Sequence, residues 1–106
     1  MDHYYILISN IDMDMGISDI QMFNYINERV GFDALVKIMW LRNPDGQRLD
    51  QVLACFRDLG DASVVEVLLG HKMGGTIWRA EITSRTFEKV RKDQLYIDSI
   101  RYGRIF

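Results

Sequence analysis

The side chains able to do chemistry are few and scattered along the chain. They are two histidines, His3 and His71, one cysteine, Cys55, and an acidic loop carrying Asp12, Asp14 and Asp19. Nucleophilic catalysis needs a thiol or hydroxyl beside a base that can take its proton. Cys55 lies inside the apolar run Asp50–Phe56, with neither histidine near it in sequence, which is the pattern of a small packed thiol. The three aspartates lack the ligand number and spacing of a cation loop. Gly70 and Gly74-Gly75 flank His71-Lys72-Met73, but no glycine-rich phosphate cradle is present. The reading is therefore of a protein that binds: no catalytic residue, no metal ligand, no cofactor and no small-molecule substrate is expected.

The elements that would position a binding surface are clear. Tyr4-Tyr5-Ile6-Leu7-Ile8-Ser9-Asn10-Ile11 and Asp50-Gln51-Val52-Leu53-Ala54-Cys55-Phe56 are apolar runs rich in β-branched and aromatic residues, each ending in polar turn chemistry. Both read as strands. Between them, Ser18 stands three residues before Gln21, a capping box that starts a helix over about residues 19–30. Ile20, Phe23, Ile26 or Asn27, and Val30 recur at helical spacing, and Gly31 fits the stop. Ala34–Leu41 is a strand, and Asn43-Pro44-Asp45-Gly46 turns it into the strand at Asp50–Phe56. A second helix is expected over Ala62–Leu69, capped by Asp58 or Asp61. A final strand over Thr76–Thr83 puts Trp78, Ala80 and Ile82 on one face and Arg79 and Glu81 on the other.

The order strand, helix, strand, strand, helix, strand gives an α+β split sandwich: a four-stranded antiparallel sheet with both helices on one side. The first and third strands fall in its middle. Residues 1–83 form this domain, and residues 84–106 form a C-terminal extension whose first half reads as helical. The extension mixes Phe87, Val90, Leu95, Tyr96, Ile97, Ile100, Tyr102 and Phe106 with basic residues, enough to dock on the domain or continue toward another region.

At 106 residues the chain is one domain, with 48% apolar and 26% charged residues. A lone cysteine excludes an internal disulfide and points to a reducing compartment, cytoplasmic or nuclear. No secretory leader and no membrane span is read. The net charge of −2 hides an asymmetry: residues 1–83 hold seven Lys/Arg against twelve Asp/Glu, a net of −5, whereas residues 84–106 hold six against three, a net of +3. An acidic body repels polyanions and a basic tail attracts them, modestly at this charge.

The layout resembles the RNA recognition motif (RRM) family over residues 3–83. Ile6-Leu7-Ile8-Ser9-Asn10-Ile11 is similar to the family's first-strand motif, Leu49–Phe56 sits where the longer third-strand motif belongs, and Phe56-Arg57-Asp58 with Asp61-Ala62 matches the entry to its second helix. The resemblance implies base-stacking aromatic rings at the positions held here by Leu7, Gln51 and Leu53, and a basic–Gly pair where Leu49-Asp50 stands. An aliphatic side chain has no π-face to replace a stacking ring. A protein-binding branch, the UHM type, carries Arg-x-Phe in the loop before the last strand; His71-Lys72-Met73 occupies that loop here and is a candidate interaction loop, although it lacks both signature residues. Acylphosphatase-type enzymes share the strand order, but no arginine-bearing anion cradle follows the first strand.

By alternation, Tyr5, Leu7, Ser9, Leu35, Lys37, Met39, Leu41, Gln51, Leu53, Cys55, Arg79 and Glu81 face away from the helices, and Ile6, Ile8, Val36, Ile38, Trp40, Val52, Ala54 and Phe56 form the core. A face with so many aliphatic groups marks an interface, covered by the chain's own tail, a protein partner or a second copy. The expectation is an RRM-like protein–protein assembly module, a scaffold or dimer within an RNA-processing protein or ribonucleoprotein complex. The alternative is weak single-stranded RNA binding through Tyr5, Lys37, Arg79 and the basic tail. A second docking surface on the helical side would use Val30, Val64, Val67, Asp19 or Glu28.

Overall fold

A computed structural model describes residues 3–31, 33–57 and 63–93. The proposed caps Asp58 and Asp61, and the tail beyond residue 93, lie outside the described residues. Four antiparallel strands form the main sheet in the order β2 (Leu35–Arg42), β3 (Arg48–Arg57), β1 (His3–Ser9), β6 (Arg79–Thr83). The first and third strands hold the middle, as alternation and topology predict. Helices α1 (Asp19–Val30) and α2 (Ser63–Leu68) pack on one face. No helix among the described residues is long and apolar enough to cross a membrane.

Helix α1 starts where the capping box places it. Ser18 Oγ accepts from the Gln21 N–H at 3.2 Å and the Ser18 N–H donates to Gln21 Oε1 at 2.9 Å, so two otherwise orphan donors are satisfied reciprocally. It stops at Gly31, whose φ of +77° suits only glycine without strain. Of the periodic set predicted above, Ile26 enters the core, joined by Met22, which the set lacked, while Ile20 is 74% exposed. Phe23 and Val30 pack on the margin of that core. The β2–β3 turn is built by Asn43, whose Oδ1 accepts from the N–H groups of Asp45 and Gln47, both at 3.0 Å.

Three placements depart from simple alternation. Leu35, predicted on the open face, lies in the helix-side core opposite Phe56, and Val36, predicted inside, is 40% exposed. A β-bulge between Leu35 and Lys37 adds one residue to β2, and one extra residue switches the faces of those before it. Ile82, expected beside Ala80 in the core, is 64% exposed. The stretch predicted as one strand over Thr76–Thr83 is instead a small hairpin, β4 (Lys72–Met73) with β5 (Thr76–Ile77), followed by β6. Trp78 separates them because its backbone N–H and C=O pair with His71 and Gly70, while its ring sinks into the core.

The helix-side core holds Ile6, Ile8, Val52, Ala54, Phe56 and Trp40 from the sheet against Met22, Ile26, Val64 and Leu68. A second apolar layer covers the other face. There, residues 87–93 form a helix, α3, entered at Thr86, whose Oγ1 accepts from the Lys89 N–H at 3.2 Å. The middle of the sheet, at Leu53 and Cys55, is thus covered on both sides.

Candidate interaction face of the sheet

The face opposite α1 and α2 is assembled by strand register. Leu53 on β3 stands between Leu7 of β1 and Met39 of β2, and Cys55 stands between Tyr5 and Lys37. Onto this grid α3 lowers Phe87. The ring meets Tyr5 edge-on, with centroids 5.1 Å apart at 83°, and joins Leu41, Leu53 and Cys55 in one cluster. Val90, one helical step further, packs beside it. Lys37 places its ammonium 5.8 Å from the Phe87 centroid, a cation–π contact at the rim.

Burial grades across the face. Leu53 is wholly inaccessible, Leu41 and Cys55 are buried, and Tyr5, Leu7, Met39 and Gln51 are half-buried. Lys37, Arg79 and Glu81 stay exposed toward the two edges. Burial pushes the Tyr5 phenol above its ordinary pKa, and the neighbouring Cys55 thiol adds to the effect. Burial likewise raises the Cys55 thiol, only partly offset by a hydrogen bond with Tyr5. The lowered acidity of both groups leaves a protonated, poorly nucleophilic pair, the opposite of an activated thiolate.

The loop residues His71, Lys72 and Met73 are not brought to this face. His71 Nε2 shares a hydrogen bond with the Tyr25 hydroxyl and its ring meets Trp78 edge-on at 5.2 Å; burial, with the Arg29 charge, holds its imidazole below the usual histidine range. Met73 packs against the helix-side core and Lys72 is exposed. On the helical side Val64 is buried, which removes it from any docking surface, and Asp19 is ion-paired with Arg48. That Arg48 also stacks on Trp40 at 4.3 Å and donates to the Ile17 carbonyl at 2.6 Å, so it ties the β1–α1 loop to the sheet. A second tie joins the same loop to the β4–β5 hairpin. The Gly75 N–H donates to Asp12 Oδ2 at 2.8 Å, and the Asn10 side-chain amide donates to the Ile77 carbonyl at 2.9 Å. The Gly75 and Asp14 amides hold the Asp12 carboxyl below the usual carboxylate range. Neither tie has a signature in spacing, because each joins residues far apart in the chain. Among the described residues no cluster of ligating side chains suits a metal.

No protein-family model and no curated protein sequence matches the chain. Solved structures do match. The Rna15 RRM is 19% identical with a TM-score of 0.62, over 82% of this chain and 94% of that one. The Rna15 RRM with bound RNA (GU) is 20% identical at 0.64, over 87% and 96%. The fold is that of the RNA recognition motif. A G-rich RNA sequence binding factor 1 (GRSF1) from Homo sapiens adds a third likeness, 13% identical at a TM-score of 0.59 over 100% of both chains. In this RRM-like domain, the positions where the family resemblance implies stacking rings carry Leu7 and Gln51, half-buried, and Leu53, beneath Phe87.

Proposed function

We propose that this RRM-like domain is an assembly module that binds another protein, within an RNA-processing protein or complex. The observation that carries the reading is Leu53, fully buried under Phe87 at the centre of the face that would otherwise receive bases. Stacking contributes ~1–3 kcal/mol per base, and only on a π-face. By alternation the rings on the strands of this face are Tyr5 and, at the exposed end of β1, His3; the partner of Tyr5 is already Phe87.

The second reading is weak single-stranded RNA binding. It is favoured by the structural likeness to an RRM with RNA bound and by the exposed cations Lys37 and Arg79 at the edges of the face. Titrating labelled oligouridylate and GU-repeat RNA, at low and at physiological salt, separates the two. The assembly reading expects weak binding that fades as salt rises, because only phosphate contacts remain. Micromolar or tighter binding at physiological salt overturns it.

A further inference from the structure

Where α3 meets the outer strand β2, the sheet and helix leave a groove open to solvent. Met39, Leu41 and Val90 give it an apolar floor, and Arg42 and Arg91 stand at its rim. Among the described residues the lining, completed by Trp40, whose ring belongs to the opposite core, includes two guanidinium groups and no carboxylate. Its volume of about 210 Å³ falls below the ~300–1,000 Å³ of pockets for drug-sized ligands. It suits one or two inserted side chains.

The groove runs beside a sheet edge that no other described strand pairs. β2 ends the sheet order, and among the described residues it pairs only with β3. An edge of this length is a template for a further strand unless something blunts it. The bulge at Val36 blunts the start of β2 and a second register shift falls between Trp40 and Arg42, but the stretch from Lys37 to Trp40 between them pairs regularly. Apolar sockets beside an open edge are how a sheet takes up an extended peptide, with main-chain bonds for affinity and alternate side chains for selectivity.

Resting on the assembly reading, we propose that the β2 edge and this groove receive an extended acidic segment of a partner protein. The segment adds a strand along Lys37–Trp40, seats an aliphatic side chain over Met39, Leu41 and Val90, and lays carboxylates on Arg42 and Arg91. Charge selects the occupant: Lys37 joins the two arginines on this side, so a basic segment is repelled and an acidic one is steered in. The aliphatic floor favours a leucine or valine anchor over a nucleobase, which gains most on an aromatic ring.

The probe is a fluorescein-labelled peptide alternating glutamate with leucine, followed by anisotropy with the full chain. Two control peptides replace glutamate by lysine, or leucine by alanine, and oligouridylate is run beside them. Arg91 is exposed, so Arg91→Glu changes charge without touching the core. The expected result is binding of the acidic leucine peptide alone. Arg91→Glu should weaken it about tenfold, as for reversal of one partly exposed ion pair. Amide NMR shifts on adding peptide should concentrate at residues 37–42. Absence of peptide binding, equal binding of the lysine control, indifference to Arg91→Glu, or shifts centred on another surface each overturns the proposal. Tight oligouridylate binding that displaces the peptide overturns it together with the assembly reading, whereas peptide failure with no RNA binding overturns the groove alone.

Discussion

Replacing Phe87 by alanine tests how the sheet face is closed. The ring is nine-tenths buried, and it bridges Tyr5 of β1, Leu41 of β2 and both Leu53 and Cys55 of β3. Removing a buried phenylalanine costs about 3–5 kcal/mol when the surroundings stay in place. Here the cavity would lie under a helix at the surface of the sheet that can settle toward it, so the lower end applies, about 3 kcal/mol. At ~4–8 °C per kcal/mol for a domain near this size, Tm should fall by roughly 12–24 °C. Far-UV circular dichroism should still report the same strands and helices below the transition, because the helix-side core is untouched. The second readout is chemical. Cys55 is the sole cysteine and is 5% exposed, so its reaction with a thiol reagent reports directly on this layer. Phe87→Ala should speed labelling sharply, both by opening access and by returning the thiol toward its ordinary acidity. A Tm within about 4 °C of the parent, with Cys55 equally protected, would refute the argument, since that shift corresponds to only about 1 kcal/mol.

Two further perturbations address the loops. Gly74→Ala should destabilise more than Gly46→Ala in urea titrations. Both glycines have positive φ, but a Cβ at Gly74 would lie 2.7 Å from Met15 Sδ and press on the Asp12 carboxylate, while one at Gly46 meets open space; equal losses would show that the loop–hairpin contact is slack. His71 should make stability fall in mild acid. Its folded pKa lies below the unfolded value of about 6.5, so the neutral, Tyr25-bonded form contributes fully above that pH and is lost as pH falls through the folded pKa. A His71→Gln variant should show a flatter profile over this range, and a slope identical to the parent's would rule the linkage out.

The parts of the fold visible in sequence are those that rest on local chemistry. Ser18 and Gln21 announce α1 because both partners of the capping box lie within one turn. Asn43 announces the hairpin for the same reason. The pairing of Leu7 with Leu53 follows from alternation once the strand order is known. What escapes is decided by contacts distant in sequence. No local pattern shows that β2 will bulge at Val36 and hand Leu35 to the core. The Asp12–Gly75 bond joins residues 63 apart, and its effect is to dock a loop on a hairpin that reads as a simple break. Thr86 before Phe87 and Val90 is a short cap with an apolar step, and it does signal a helix. Where that helix lands is set by the three strands beneath it.

Burial on both sides also changes what holds the strands in alignment. In a sheet with one wet face, sliding a strand by one residue puts apolar groups in water and polar groups in the core, a large penalty. β3 lacks that safeguard, since Val52, Leu53, Ala54, Cys55 and Phe56 are all buried and a slip would exchange one apolar set for another. Alignment must then come from features that count residues. The Asn43 turn together with the register shift between Trp40 and Arg42 fixes the offset of β3 against β2, and the Val36 bulge makes the ladder asymmetric, so that only one offset pairs Leu35 with Phe56 and Lys37 with Cys55. Lengthening the turn or removing the bulged residue should therefore yield a mixture of strand offsets rather than simple unfolding.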